Sequence, residues 1–195
     1  MRPRSAAGGM DKPGPPRHLA SRMEHAPLIL TLDLDEAAFG RFDAERRTHF
    51  PAALNRIPAH VTLFHHLPGE EERGIVETLA GAAREEAPAA VAVTGLRFTG
   101  RGVAYALDAP AVAALRARLA RAFAPWLTAQ DRQGFRPHVT IQNKVAPEAA
   151  RALHARLAAD FAPFRVTGTG LLLWRYLGGP WEARGRFPFA EASPR

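Results

Sequence analysis

Two tetrapeptides constrain this chain more than anything else in it: His60-Val61-Thr62-Leu63 and His138-Val139-Thr140-Ile141, 78 residues apart in a sequence of 195. Each reads as His-x-Thr-apolar inside an apolar run. Side chains of a β-strand alternate between faces, so His60 and Thr62 project together while Val61 and Leu63 face the other way, and the second string repeats the pattern. Each segment thus offers an imidazole and a hydroxyl on one face of a strand whose other face can be buried. Two such strands brought together set two imidazoles and two hydroxyls around one pocket, a set sufficient for acid–base chemistry on a phosphodiester.

The flanks repeat as well. Leu28 to Leu34 alternates as a strand, and a helix is predicted from Asp35 to Phe50 with Phe39 and Phe42 on one side. After the first string an acidic start, Glu70-Glu71-Glu72, opens a helical pattern through Ile75, Val76, Leu79 and Ala83, and Ala90 to Leu96 reads as a strand. In the second half Gly102 to Asp108 is a strand and Ala111 to Phe123 a helix with Val112, Leu115 and Leu119 aligned. Beyond the second string, Pro147 suits a helix's first turn, and Leu153, Leu157 and Phe161 share its stripe. Phe164 to Leu172 returns as a strand, and Trp181 to Phe189 is expected to complete a sheet. Strand, helix, His-motif strand, helix, strand therefore occurs twice. Two copies are too few for a solenoid, and an internal duplication is the reading.

A duplicated α/β unit with one His-x-Thr-x per copy resembles the 2H phosphoesterase superfamily, and within it the 2′-5′ RNA ligase-like group, over roughly residues 26–190. The two tetrapeptides, their separation, and Arg136-Pro137 ahead of the second carry the resemblance. It implies an α+β, bilobal fold with two mostly antiparallel sheets around a central cleft, each contributing one motif. It also implies a cyclic phosphodiesterase acting without metal or other cofactor on RNA ends or nucleotides bearing a 2′,3′-cyclic phosphate, with room for ATP-independent 2′-5′ ligation. In such enzymes the first histidine acts as acid and the second as base, leaving a 2′-phosphate. That assigns His60 and His138, although a symmetric site can run either way.

Composition bounds the alternatives. With 47% hydrophobic residues the chain can bury a core as a single domain, 26–190, and a monomer is expected. The formal charge is +7, of which the first 25 residues contribute +3. Those residues are rich in Pro and Gly, lack an apolar h-region, and read as a disordered basic tail before the domain, with Met23 as the expected true start; 191–195 form a second tail. No apolar run is long enough to cross a membrane, and with no cysteine a cytoplasmic location is expected. Serine occurs only at 5, 21 and 193, so a Ser- or Cys-based covalent hydrolase is excluded. There is no P-loop and no Gly-x-Gly-x-x-Gly string, and Lys144, the only lysine in the body, lacks the setting of a nucleotidyl-lysine.

His65 and His66 follow the first motif, but alternation puts His65 on the face opposite His60 and His66. A straight strand would hold His60 and His66 about 20 Å apart. No metal site is expected; the pair is placed at a strand end beside the turn Pro68-Gly69. In the mechanism that two imidazoles support, one takes a proton from water and the other gives one to the leaving oxygen, while Thr62 and Thr140 donate to non-bridging phosphate oxygens. Arg136, two residues before His138, is the arginine best placed for the phosphate. Among Phe64, Trp174, Tyr176 and Trp181, most are expected in the core, and Tyr176, beside the Gly178-Gly179-Pro180 turn, is the candidate for stacking a base. Arg184 and Arg186 share a face, toward solvent or cleft. A non-catalytic RNA- or nucleotide-binding module, or a phosphodiesterase for a small non-RNA cyclic phosphate, are the alternatives.

Overall fold

The computed structural model describes residues 25–190; the expectations for both tails and for Met23 lie outside them. The chain runs β1 (Leu28–Leu34), α1 (Glu36–His49), β2 (Val61–Leu67), α2 (Glu72–Arg84), β3 (Ala89–Phe98), β4 (Val103–Asp108), α3 (Pro110–Ala122), β5 (His138–Gln142), α4 (Pro147–Ala159), β6 (Phe164–Tyr176) and β7 (Trp181–Pro188). Local chemistry sets the helix starts. Asp35 caps α1 by accepting from the Ala38 amide at 2.9 Å, and Pro110 and Pro147 open α3 and α4 where a missing N–H costs nothing.

All strand pairings are antiparallel, in the order β2-β1-β6-β3-β4-β5, with β7 also on β6. The two halves are joined in one curled sheet because β6, at 13 residues, serves both. Its first residues pair with β3 (Val93 opposite Phe164, Ala89 opposite Gly168), and its later ones pair with β7 along the same edge. The changeover falls at Gly168 and Gly170. A Cβ on Gly170 would lie 2.5 Å from the Phe187 carbonyl oxygen, so only glycine lets β7 close in there.

The two copies exchange their last strands. β2 and β1 are completed by β6, which belongs to the second copy, while β5 and β4 are completed by β3 from the first. The first helices cross as well: α1 packs against β5, and its Phe42 meets Tyr105 of β4 with ring centroids 5.3 Å apart. One core runs through both halves, from Leu28, Leu30 and Leu63 to Val139, Ile141 and Leu171. The opposite faces of β1 and β6 carry Ile29, Thr31, Leu172, Trp174 and Tyr176 and line a trough. The curl brings the end strands β2 and β5 together across that trough.

Candidate active site

His60 directly precedes β2 and His138 is the first residue of β5, so each motif stands at a strand's entry rather than its middle. Both imidazoles are fixed alike. His60 Nδ1 donates to the Pro58 carbonyl at 2.8 Å and His138 Nδ1 to the Arg136 carbonyl at 2.9 Å. A carbonyl can only accept, so the proton is on Nδ1 in both rings and Nε2 is left for the trough. The two histidines and Thr62 and Thr140 are all half-buried. They interleave: a cavity of about 730 Å³ is lined by His60 with Thr140, and an adjoining one of about 590 Å³ by His138 with Thr62.

Burial pushes the His60 imidazole down to about 4; the Pro58 bond opposes this, and Arg46, His138 and His65 press the same way as burial. Arg46, on α1, is a residue that sequence reading passed over. Only 4% exposed, it donates from Nε to Asn55 Oδ1 (2.9 Å) and the Ile57 carbonyl (3.1 Å), and from Nη1 to the Thr140 carbonyl (2.7 Å). One guanidinium thus ties the loop delivering His60 to the strand carrying the second motif. Asp43, one turn earlier, accepts from the Ala59 amide at 3.0 Å. Arg116 on α3 is the counterpart in the second copy: Nε donates to the Leu63 carbonyl (2.9 Å) and Nη2 to the Asp131 carbonyl (2.6 Å). Desolvation lowers both guanidinium pKa values, yet such groups stay charged near neutrality. Neither has a sequence signature.

Other expectations are corrected. Two register shifts lie in the β1–β2 ladder, one at Leu63 and one at His65–His66. A bulge breaks the alternation, and His65 and His66 line the same cavity as His60 instead of dividing between faces. A third bulge, at Arg184 opposite the Leu173–Trp174 step, separates Arg184 from Arg186. Arg184 reaches Glu72 on α2 (2.6 Å), while Arg186 reaches Asp33 (2.7 Å) in the trough. Phe42 is fully buried, but Phe39 is 40% exposed and faces the trough.

Of the four aromatics, only Phe64 is core. Trp174 and Trp181 line a third cavity of about 450 Å³ with His60, whose ring centroid is 4.7 Å from that of Trp181. Trp174 is held by a 2.9 Å bond from Nε1 to Thr31 Oγ1. Tyr176 is exposed at the rim of the His60 cavity, and Arg136 lines the His138 cavity. Lys144, also at the His60 cavity, is the one non-glycine residue at positive φ (62°) among those described.

The curled antiparallel sheet with its helices is the fold of the LigT-type phosphoesterases. The sequence profile of the 2′-5′ RNA ligase superfamily matches residues 34–180, and the chain belongs to that superfamily. Solved structures agree in fold. E. coli LigT in its apo form has a TM-score of 0.58 at 17% identity, over 85% of this chain and 98% of that one. A protein described as a phosphoesterase gives 0.54 at 18%, over 85% and 99%, and E. coli LigT complexed with 3′-AMP gives 0.51 at 19%, also over 85% and 99%. No curated protein matches the chain in sequence. Among the described residues no helix is long and apolar enough to cross a membrane.

Proposed function

We propose that the trough hydrolyses 2′,3′-cyclic phosphodiesters at the ends of RNA or in nucleotides, with the two motif histidines as its acid and base. The observation that carries this is the matched tethering of His60 and His138 through Nδ1, which leaves Nε2 of each available beside a cavity that it lines together with the other motif's threonine. With a phosphate between them, Thr62 and Thr140 donate to its non-bridging oxygens. His138 takes a proton from the attacking water, the P–O3′ bond breaks, and His60 supplies the proton to O3′, leaving a 2′-phosphate.

By itself His60 is neutral at pH 7, which is the wrong state for an acid. A bound phosphodiester anion beside the ring favours its charged form, opposing the lowering that burial and Arg46 impose, and draws the required proton onto the ring. The two tryptophans beside His60 support a nucleoside as the carrier of the phosphate, because they offer flat apolar surface within reach of the reacting group. The fold neighbour solved with 3′-AMP points to the same chemical class.

The test is turnover of a dinucleotide ending in a 2′,3′-cyclic phosphate, in EDTA, by the wild type and by His60→Ala and His138→Ala. Turnover that survives EDTA and drops by about 10²–10⁴-fold in each variant is expected. Full turnover in either folded variant refutes the two-histidine account.

A further inference from the structure

His65 is a third imidazole in the trough, and the fold spends a buried carboxylate on it. Asp131 lies in the segment ahead of the second motif and is 1% exposed. It crosses to the end of β2, where its carboxylate accepts from the backbone amides of His65 (2.9 and 3.1 Å) and His66 (3.0 Å) and from His65 Nδ1 (2.9 Å). Arg116 fixes the same residue by its carbonyl. An ionised carboxylate only accepts, so Nδ1 carries a proton and donates it. The opposite ring nitrogen, Nε2, points away from Asp131 and has no hydrogen-bond partner among the described residues. His65 is also the one motif-strand residue that lines both the His60–Thr140 cavity and the His138–Thr62 cavity.

We propose that His65 Nε2 contacts the substrate phosphate between the two motif histidines, with Asp131 setting the ring's position. This rests on the reading that the trough holds a phosphate. Two observations set the side chain apart from a merely structural one. The backbone amides of His65 and His66 already pin Asp131 to β2, so the join between the halves does not need the imidazole. The other copy lacks the device: five residues after His138 stands Asn143, whose Oδ1 accepts from the Lys144 amide. The repeat therefore folds with or without a carboxylate-held ring at this place, and the ring is specific to one side of the trough.

The two ring nitrogens can be replaced separately. The amide nitrogen of asparagine falls near the position of histidine Nδ1, and that of glutamine near Nε2. The experiment measures inorganic phosphate binding by calorimetry to the wild type, His65→Gln and His65→Asn, with thermal melting to confirm folding, and alongside it turnover of the cyclic-phosphate dinucleotide. If Nε2 touches the phosphate, His65→Asn weakens phosphate binding by about tenfold or more while His65→Gln stays within about threefold of wild type. Asparagine binding phosphate as the wild type does, or the two variants being equal, overturns the proposal. Failure of the parent reading looks different: the wild type would then not turn over the dinucleotide, whatever the phosphate affinities show. Turnover by the wild type with phosphate affinity indifferent to residue 65 would sink the His65 contact alone.

Discussion

His60 and His138 are held by the same bond, ring Nδ1 to the carbonyl two residues back, although proline supplies that carbonyl in one copy and arginine in the other. The backbone does the holding, so the Arg136 side chain is left to line the cavity of His138. The four motif residues were legible because period-2 alternation needs nothing beyond the strand itself. His65 was not, because two bulges in seven residues defeat the alternation by which its face was read. The electrostatics of His60 has a measurable sign. Its pKa is about 4 in the folded protein against 6.5 for the free side chain. Between those values the unfolded chain binds a proton that the folded one refuses. This contribution to stability is therefore complete above pH 6.5 and is lost as pH falls toward 4. Urea unfolding at about pH 7 and about pH 4.5 should show a smaller loss in His60→Gln than in the wild type. An equal loss would mean that His60 titrates normally in the folded state.

The helices do more than cover the sheet. α1 presents Phe42 to the core, but the same buried side also carries Asp43 and Arg46, which hold the loop before His60 and the carbonyl of Thr140. Removing the Arg46 side chain leaves these acceptors without their donor in a desolvated place. Arg46→Ala is expected to lower stability by about 2–4 kcal/mol in chemical denaturation, and to reduce turnover further by loosening both motifs at once. Within β6 the decisive position is Gly170. Gly170→Ala sets a methyl group against the Phe187 carbonyl, and a cost of about 1–3 kcal/mol is expected in the same measurement. The boundaries of nearly every helix and strand could be read from the chain, since caps, prolines and periodicity are local. The reach of β6 to Tyr176 could not, because its last residues earn their place only by pairing with β1 and β7.

At the scale of the whole molecule, the exchange of β3 and β6 makes the duplicated halves interdependent. A half cut out at the β3–β4 turn keeps its own motif strand but loses the third strand of its sheet and, with α1 or α3 gone from the other side, the cover of its core. Each fragment (25–100 or 101–190) is therefore expected to lack cooperative unfolding in circular dichroism, and the mixture to recover it. A half that unfolds cooperatively alone would show the copies to be separate domains. By itself the sequence determined the two-copy order of strands and helices and the two motif strings, since each is written in spacing and alternation along a few consecutive residues; the α+β class followed from the family those strings resemble. Only the tertiary structure decided that the copies exchange strands, that Arg46 and Arg116 clamp across the halves, and that Asp131 meets His65 from 66 residues away. Those contacts join residues far apart in the chain, and the curl of the sheet that brings them together is a property of all seven strands at once.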